Sequence, residues 1–203
     1  MILKKILPFF SYAFHPIFIP MMAVFFYISF DFSNFKIGEI YFILFQIVIL
    51  TILIPIALFF LLRSIGHIDS IMLANLSQRK IPLILQCFLM ILLVRKSITI
   101  EYYPELHFFF LGTLFSTIIA LLLLFVKTKA SLHMLGIAAL TVFVFGLNIH
   151  HQANTIYVIP FLILINGFVA SSRLEMNAHT PKELVIGLII GSVPQLLLLS
   201  LWL

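Results

Sequence analysis

The sequence predicts an all-α membrane protein, a polytopic bundle of about seven transmembrane helices. Hydrophobic residues make up 63% of the 203 residues and charged residues only 9%. In soluble domains about 45–50% of the residues are apolar and about 25% are charged. Long apolar stretches recur along the chain, and the few charges fall between them. This composition leaves too little polar surface for a water-soluble globule, and it also excludes a disordered chain.

Seven apolar segments are candidates for these helices. They comprise residues 6–30, 40–62, 81–94, 106–126, 130–149, 155–169 and 184–203. A helix needs about 20 residues to cross a hydrocarbon core of about 30 Å, and the third and sixth segments are shorter than that. The alternative is therefore six spans plus a tucked helix. Because the sequence has no repeat or long linker, we expect residues 1–203 to form a single domain.

The first apolar segment bears on whether a signal peptide is cleaved, and the single cysteine bears on whether a disulfide can form. Lys4 and Lys5 precede a long apolar run as in a signal peptide, but no clear cleavage site follows, so we expect an uncleaved first span. Pro16 and Pro20 lie inside this run, where neighbouring helices can satisfy the freed carbonyl groups. Cys87 has no second cysteine with which to form an internal disulfide or a cysteine metal cluster.

The net charge of +5 comes from lysines and arginines in short segments between the apolar stretches, and these form no basic domain. We therefore exclude nucleic acid as a partner.

Seven spans would place the N-terminus and loops 63–80, 127–133 and 171–183 on one membrane face, named the pocket face below. Loops 31–39, 95–105 and 148–155 would lie on the opposite face. The pocket face holds nine of the twelve lysines and arginines. The positive-inside rule therefore predicts an integral protein of the bacterial inner membrane, with a cytoplasmic N-terminus and a cytoplasmic pocket face.

Three loops of the pocket face carry polar clusters in which we expect a binding site. The candidate binding residues are Arg79, Lys80, Lys129, Ser131 and Arg173. Two guanidinium groups and neighbouring ammonium groups favour a multiply charged anion, and phosphate fits because guanidinium groups bind its oxygens in pairs. The same loops also carry two histidines, which are common in acid–base and nucleophilic catalysis.

Two of these clusters resemble motifs of the type 2 phosphatidic acid phosphatase superfamily. Arg173 and His179, with Glu183 four residues later, resemble the third motif, SRxxxxxHxxxD, with glutamate at the aspartate position. Ser131 and His133 are similar to the serine and histidine of the second motif, PSGH. The resemblance covers about residues 65–191.

The first motif of that superfamily, KxxxxxxRP, is matched less closely. Arg79 followed by Pro82 is similar to its end, but Met72 stands where its lysine is expected. Leu132 replaces the glycine of the second motif, which narrows the approach to phosphate. These departures leave open an alternative in which the protein is a catalytically degenerate membrane subunit or a lipid-head-binding scaffold. A small transporter is a third hypothesis, although the expected internal repeat is missing.

The resemblance implies a membrane phosphatase that hydrolyses a lipid phosphate or a lipid diphosphate and takes this substrate from the bilayer. In such an enzyme His179 attacks phosphorus to form a phosphohistidine, and His133 protonates the leaving oxygen. Arg79, Arg173 and Lys129 would surround the phosphate, and no metal or other cofactor is required. The oligomeric state does not follow from the sequence.

Glu183 and the remaining histidines have structural interpretations of their own. Thr180, Pro181 and Glu183 form the pattern of a helix capping box, and the alternative role of Glu183 is to orient His179. We expect His15 to be a buried, hydrogen-bonded residue. We expect His150 and its neighbour His151 to lie on a solvated loop, because adjacent residues there do not share a face.

Overall fold

A computed structural model describes residues 2–68, 76–153 and 157–203, and for residues 2–5 it describes the backbone alone. All regular structure in these ranges is helical. The helices are α1 (Ile2–Ala13), α2 (Ile19–Phe30), α3 (Ile37–Ser64), α4 (Leu76–Ser97), α5 (Pro104–Phe125), α6 (Leu132–His150), α7 (Val158–Glu175) and α8 (Pro181–Leu199). Helices α3 to α8 are each long and apolar enough to cross a membrane. The protein is thus an integral membrane protein, and the predicted all-α polytopic class is confirmed.

The first predicted span is divided into two helices. α1 ends at Ala13 and α2 begins at Ile19, with a turn around His15 and Pro16 between them. Pro16 has no amide hydrogen, and it disfavours a helical conformation at the preceding residue. Pro20, in contrast, fits the first turn of α2. Each helix has 12 residues and a length of about 18 Å, so the described residues form six long helices and two shorter ones.

The two segments that seemed too short belong to helices that are long and apolar enough to cross a membrane. Residues 81–94 lie within α4, which has 22 residues, and residues 155–169 overlap α7, which has 18. Both helices continue through polar residues at the pocket face. Arg79 in α4 is 7% exposed and Arg173 in α7 is 8% exposed, so these ends face protein instead of lipid. The apolar pattern therefore underestimated the lengths of both helices.

α6 is the central helix of the bundle. It packs against α2, α5, α7 and α8. In its most apolar stretch of 18 residues, 67% of the residues are buried, whereas only 17% are buried in the corresponding stretch of α3. Large aromatic side chains fill the core beside it, including Phe109, Phe110 and Phe143. His133, the second residue of α6, is therefore held on the most deeply buried of the six long helices.

Two glycines bring α8 into close contact with α6. A β-carbon on Gly187 would collide with the carbonyl oxygen of Ser131, and one on Gly191 would collide with that of Leu135. Small residues four positions apart allow helix backbones to approach closely inside a membrane. The backbone amide of Ser131 also donates to the carbonyl oxygen of Glu183 at 3.0 Å. This contact joins the start of α6 to the start of α8, where the predicted site lies.

Candidate functional site

His179 lies in the loop between α7 and α8, and its side chain is only 3% exposed. Its Nδ1 atom is 2.7 Å from Oε2 of Glu183. An ionised carboxylate can only accept a hydrogen bond, so Nδ1 carries the proton and Nε2 keeps its lone pair. Burial lowers the pKa of His179 below its usual value, and the hydrogen bond to Glu183 opposes this effect in part. At neutral pH the imidazole is consequently uncharged, which is the state that a nucleophile requires.

Glu183 fills both of the roles that its sequence pattern left open. Its Oε2 atom accepts a hydrogen bond from the backbone amide of Thr180 at 3.2 Å, and its own amide donates to Oγ1 of Thr180 at 3.4 Å. These two bonds form the predicted capping box of α8. The same carboxylate oxygen holds His179. The start of α8 therefore fixes the carboxylate, and the carboxylate fixes the tautomer and orientation of the imidazole.

Lys129 connects the second polar loop to the third. Its Nζ atom donates to the carbonyl oxygen of Ala178 at 2.9 Å and lies 3.9 Å from Oε2 of Glu183. Burial lowers the pKa of Lys129, Arg79 and Arg173 add to this effect, and Glu183 opposes it. These interactions place the ammonium group beside the pair formed by Glu183 and His179.

Arg79 and Arg173 complete the positive charge around His179. The positive charges of Lys129, Arg173 and Arg79 all contribute to the lowered pKa of its imidazole. Arg173 is buried, and within the described part of the chain its Nε atom has no hydrogen-bond partner. Its Nη1 atom is 3.9 Å from the sulfur of Met176, a weak acceptor. Since buried polar groups are nearly always paired, this guanidinium group has a donor available for an anion.

His133 approaches the cluster from the start of α6. Its Nε2 atom lies 3.1 Å from the carbonyl oxygen of Ser11 and donates to it. The ring of His15 packs edge-on against that of His133, with centroids 5.0 Å apart. His133 is within electrostatic range of Arg173 and His179. The three polar loops predicted to share one membrane face are thus brought together.

The sequence analysis missed the contribution of α1 to this site. Ser11 is buried and its hydroxyl lies 2.6 Å from that of Ser172 in α7. His15, expected to be buried and hydrogen-bonded, is half-buried, and its Nδ1 accepts from the backbone amide of Ile17 at 3.3 Å. The only signal in the sequence was a serine and a histidine four residues apart within an apolar run.

Ser131 and Lys80, two of the predicted binding residues, have other partners. Ser131 is fully buried and caps α6, since its Oγ accepts from the backbone amide of Met134 at 3.4 Å. The Nζ atom of Lys80 lies over the ring of Phe125, 5.0 Å from its centroid. Binding of substrate by these two residues stays a prediction. Met72, the departure in the first motif, lies outside the described residues.

The fold and this cluster define the class of the protein. It is an integral membrane protein of helices, with a buried assembly of histidine, carboxylate and cationic side chains at one end of its central helices. Comparisons with protein families, with curated proteins and with solved structures find no match to this chain.

Proposed function

We propose that the protein is a membrane phosphatase that hydrolyses a lipid phosphate or lipid diphosphate through a phosphohistidine at His179. One observation carries this proposal. His179 is neutral and buried, Glu183 holds its Nδ1 proton at 2.7 Å, and Arg79, Lys129 and Arg173 lie around it. A nucleophile oriented by a carboxylate and surrounded by cations is the arrangement that phosphoryl transfer needs.

The reaction would proceed in two steps. Nε2 of His179 attacks phosphorus, and the bond from phosphorus to the leaving oxygen breaks as the new bond forms. Glu183 stabilises the positive charge on the phosphorylated ring, and the cations stabilise the charge on the phosphoryl oxygens. Water then cleaves the phosphorus–nitrogen bond, releasing phosphate and restoring neutral His179.

His133 is the proposed general acid for the first step. Its Nε2–H donates to the carbonyl oxygen of Ser11, so the proposal requires this proton to move to the leaving oxygen of a bound substrate. In the second step the attacking water returns a proton to this nitrogen, which restores His133. A positioned acid contributes about 10²–10⁴-fold to a rate. His15, edge-on to His133, would keep the ring in place while its proton is transferred.

The location of the cluster favours a lipid as substrate. Arg79 lies in the first turn of α4, His133 in the first turn of α6, and Arg173 in the last turn of α7. Each belongs to a helix long and apolar enough to cross a membrane. The cluster therefore lies near the depth of lipid headgroups, and a substrate held there can keep its tail in the bilayer.

A second candidate function is binding of a lipid phosphate without turnover. The hydrogen bond between His133 and Ser11 favours this candidate, because it occupies the proton that an acid would transfer. Leu132 stands where the second motif has a glycine. Its larger side chain narrows the approach of phosphate, which also favours binding without turnover.

Phosphate release by purified protein in detergent tests the proposal directly. The substrates are a lipid phosphate monoester and a lipid diphosphate, each also offered as a binding partner in vesicles. Release of phosphate from either lipid supports the enzyme. Saturable binding of vesicles without release contradicts the enzyme and supports the scaffold.

Replacing Arg173 by alanine should reduce kcat/KM far more than replacing Lys127 by alanine. The buried guanidinium group would contact the transferred phosphoryl group, while Lys127 is an exposed residue at the end of α5. Loss of a charge-assisted contact made in the transition state costs about 10²-fold or more. Steady-state assays of both variants measure this difference, and equal losses would place the phosphate elsewhere.

We also propose that the pocket face is cytoplasmic, because it holds most of the lysines and arginines. In a Cys87→Ala background, Lys36→Cys on the opposite face should react with a membrane-impermeant thiol reagent on intact cells. Thr128→Cys on the pocket face should react only after the cells are lysed. The reverse pattern would assign the pocket to the outer side.

A further inference from the structure

Three potential metal ligands meet at the opposite face, far from the cluster around His179. Glu105 lies in the first turn of α5, and His150 and His151 lie at the end of α6. One ligand atom from each of these residues lies within 4.8 Å of the other two. The sequence analysis expected His150 and His151 to lie on a solvated loop and expected no metal.

The end of α6 explains why two adjacent histidines converge. His150 is the last residue of the helix and His151 is its C-cap. Gln152 then adopts a left-handed conformation, with φ of 48°, which turns the chain away from the helix axis. The two imidazole rings are 5.1 Å apart and almost perpendicular, and one ligand atom of each ring lies within 4.8 Å of a carboxylate oxygen of Glu105 at the start of α5.

The distance between His150 and Glu105 fits a metal site better than an ion pair. Nε2 of His150 lies 3.3 Å from Oε1 of Glu105, whereas a charge-assisted hydrogen bond is usually about 2.7–2.9 Å long. Two ligand atoms on one tetrahedral zinc ion, each about 2.0–2.1 Å from it, are separated by about 3.3 Å. The imidazole and carboxylate are therefore already spaced like two ligands of the same ion.

The side chain of His151 supplies an independent observation in favour of a bound ion. Its Nε2 atom is buried and has no hydrogen-bond partner within the described part of the chain. A buried ring nitrogen without a partner is costly, and a metal ion would satisfy it.

We propose that Glu105, His150 and His151 bind one divalent transition metal ion, with zinc as the best match. Imidazole nitrogens combined with one carboxylate oxygen are typical of zinc sites, and a water molecule would occupy the fourth position. Mg²⁺ and Ca²⁺ prefer sites made entirely of oxygen ligands.

The surroundings suit a structural metal site. The side chain of Tyr27 in α2 lies close to Glu105, where it could orient a ligand carboxylate. The rings of Trp202 and Phe30 lie 5.9 Å from His150 and 6.0 Å from His151, respectively. A bound ion would thus join α5 to α6 next to α2. This site does not depend on the proposed phosphatase activity, since it lies on the other membrane face.

The test measures binding of zinc alone. Purified protein, with any histidine tag removed, is dialysed against a chelator and titrated with Zn²⁺ in competition with a chromophoric indicator. We expect one zinc ion per chain. We expect His151→Ala and Glu105→Gln to bind it at least about tenfold more weakly. His67→Ala, which removes an exposed histidine from the pocket face, should bind zinc like the unmodified protein.

A second measurement uses the unmodified protein alone and thus does not depend on whether the variants fold. Because an ion that binds only the folded state stabilises it, Zn²⁺ should raise the thermal midpoint of the unmodified protein. Cobalt in place of zinc should give the visible absorption of a tetrahedral site. Absence of a zinc-dependent shift, or zinc affinity unchanged in both ligand variants, would overturn the proposal.

Discussion

His179→Ala should abolish release of phosphate while leaving the protein folded. The substitution removes the proposed nucleophile, and loss of a nucleophile costs at least about a thousandfold in kcat. His179 lies in a loop and makes its side-chain hydrogen bond to Glu183, while the capping bonds between Thr180 and Glu183 do not involve it. The folded state should therefore survive, as checked by size-exclusion chromatography and by the thermal midpoint.

The covalent intermediate gives this prediction a second measurement. A substrate with a labelled phosphoryl group should leave label on the unmodified protein after rapid denaturation, in an acid-labile and base-stable form. His179→Ala should retain no label, and His67→Ala should behave like the unmodified protein. His133→Ala should form the intermediate about 10²–10⁴-fold more slowly. Release of phosphate at the normal rate by His179→Ala would exclude it as the nucleophile.

Gly191→Ala should destabilise the protein, although glycine to alanine in a helix normally stabilises it by about 0.5–1 kcal/mol. The new β-carbon would meet the backbone carbonyl group of Leu135, which cannot rotate away as a side chain can. α6 and α8 would have to separate, at a cost of about 1–3 kcal/mol. Separation would also weaken the bond between Ser131 and Glu183, so activity should fall together with stability.

Gly167 in α7 provides the matched control, because a β-carbon there would meet no other atom within 4 Å. Unfolding of the two variants in detergent should give a lower thermal midpoint for Gly191→Ala and an unchanged or higher one for Gly167→Ala. Equal midpoints for the two variants would mean that α6 and α8 are not packed as closely as described here.

Composition and the long apolar segments were sufficient to predict the class of fold, but they were not sufficient to place the helix ends. A chain with so few charges must be embedded in lipid, and segments of about 20 apolar residues then predict an all-α polytopic bundle. Arg79 and Arg173 were assigned to loops 63–80 and 171–183, yet both lie inside helices. An apolar pattern detects contact with lipid, and it cannot recognise a polar residue that is buried against protein.

Residues close together in sequence were easier to assign than residues joined by the fold. His179 and Glu183 are four residues apart, and their contact follows from their spacing. Ser11 and His133 are 122 residues apart, and nothing local in the sequence connects α1 with α6. For His150 and His151 the expectation failed although the residues are adjacent in sequence. They were expected to lie on a loop and to point to different sides, whereas they lie at the end of a helix.

The turn at Pro16 has a consequence for biogenesis. α1 and α2 leave the ribosome before the other helices, and neither one alone can cross the hydrocarbon core. Their polar partners, His133 for the backbone of Ser11 and Ser172 for its hydroxyl, are synthesised more than one hundred residues later. We therefore expect residues 2–30 to reach their final position only after α6 and α7 have been inserted. Completion of the site would then coincide with the final step of assembly.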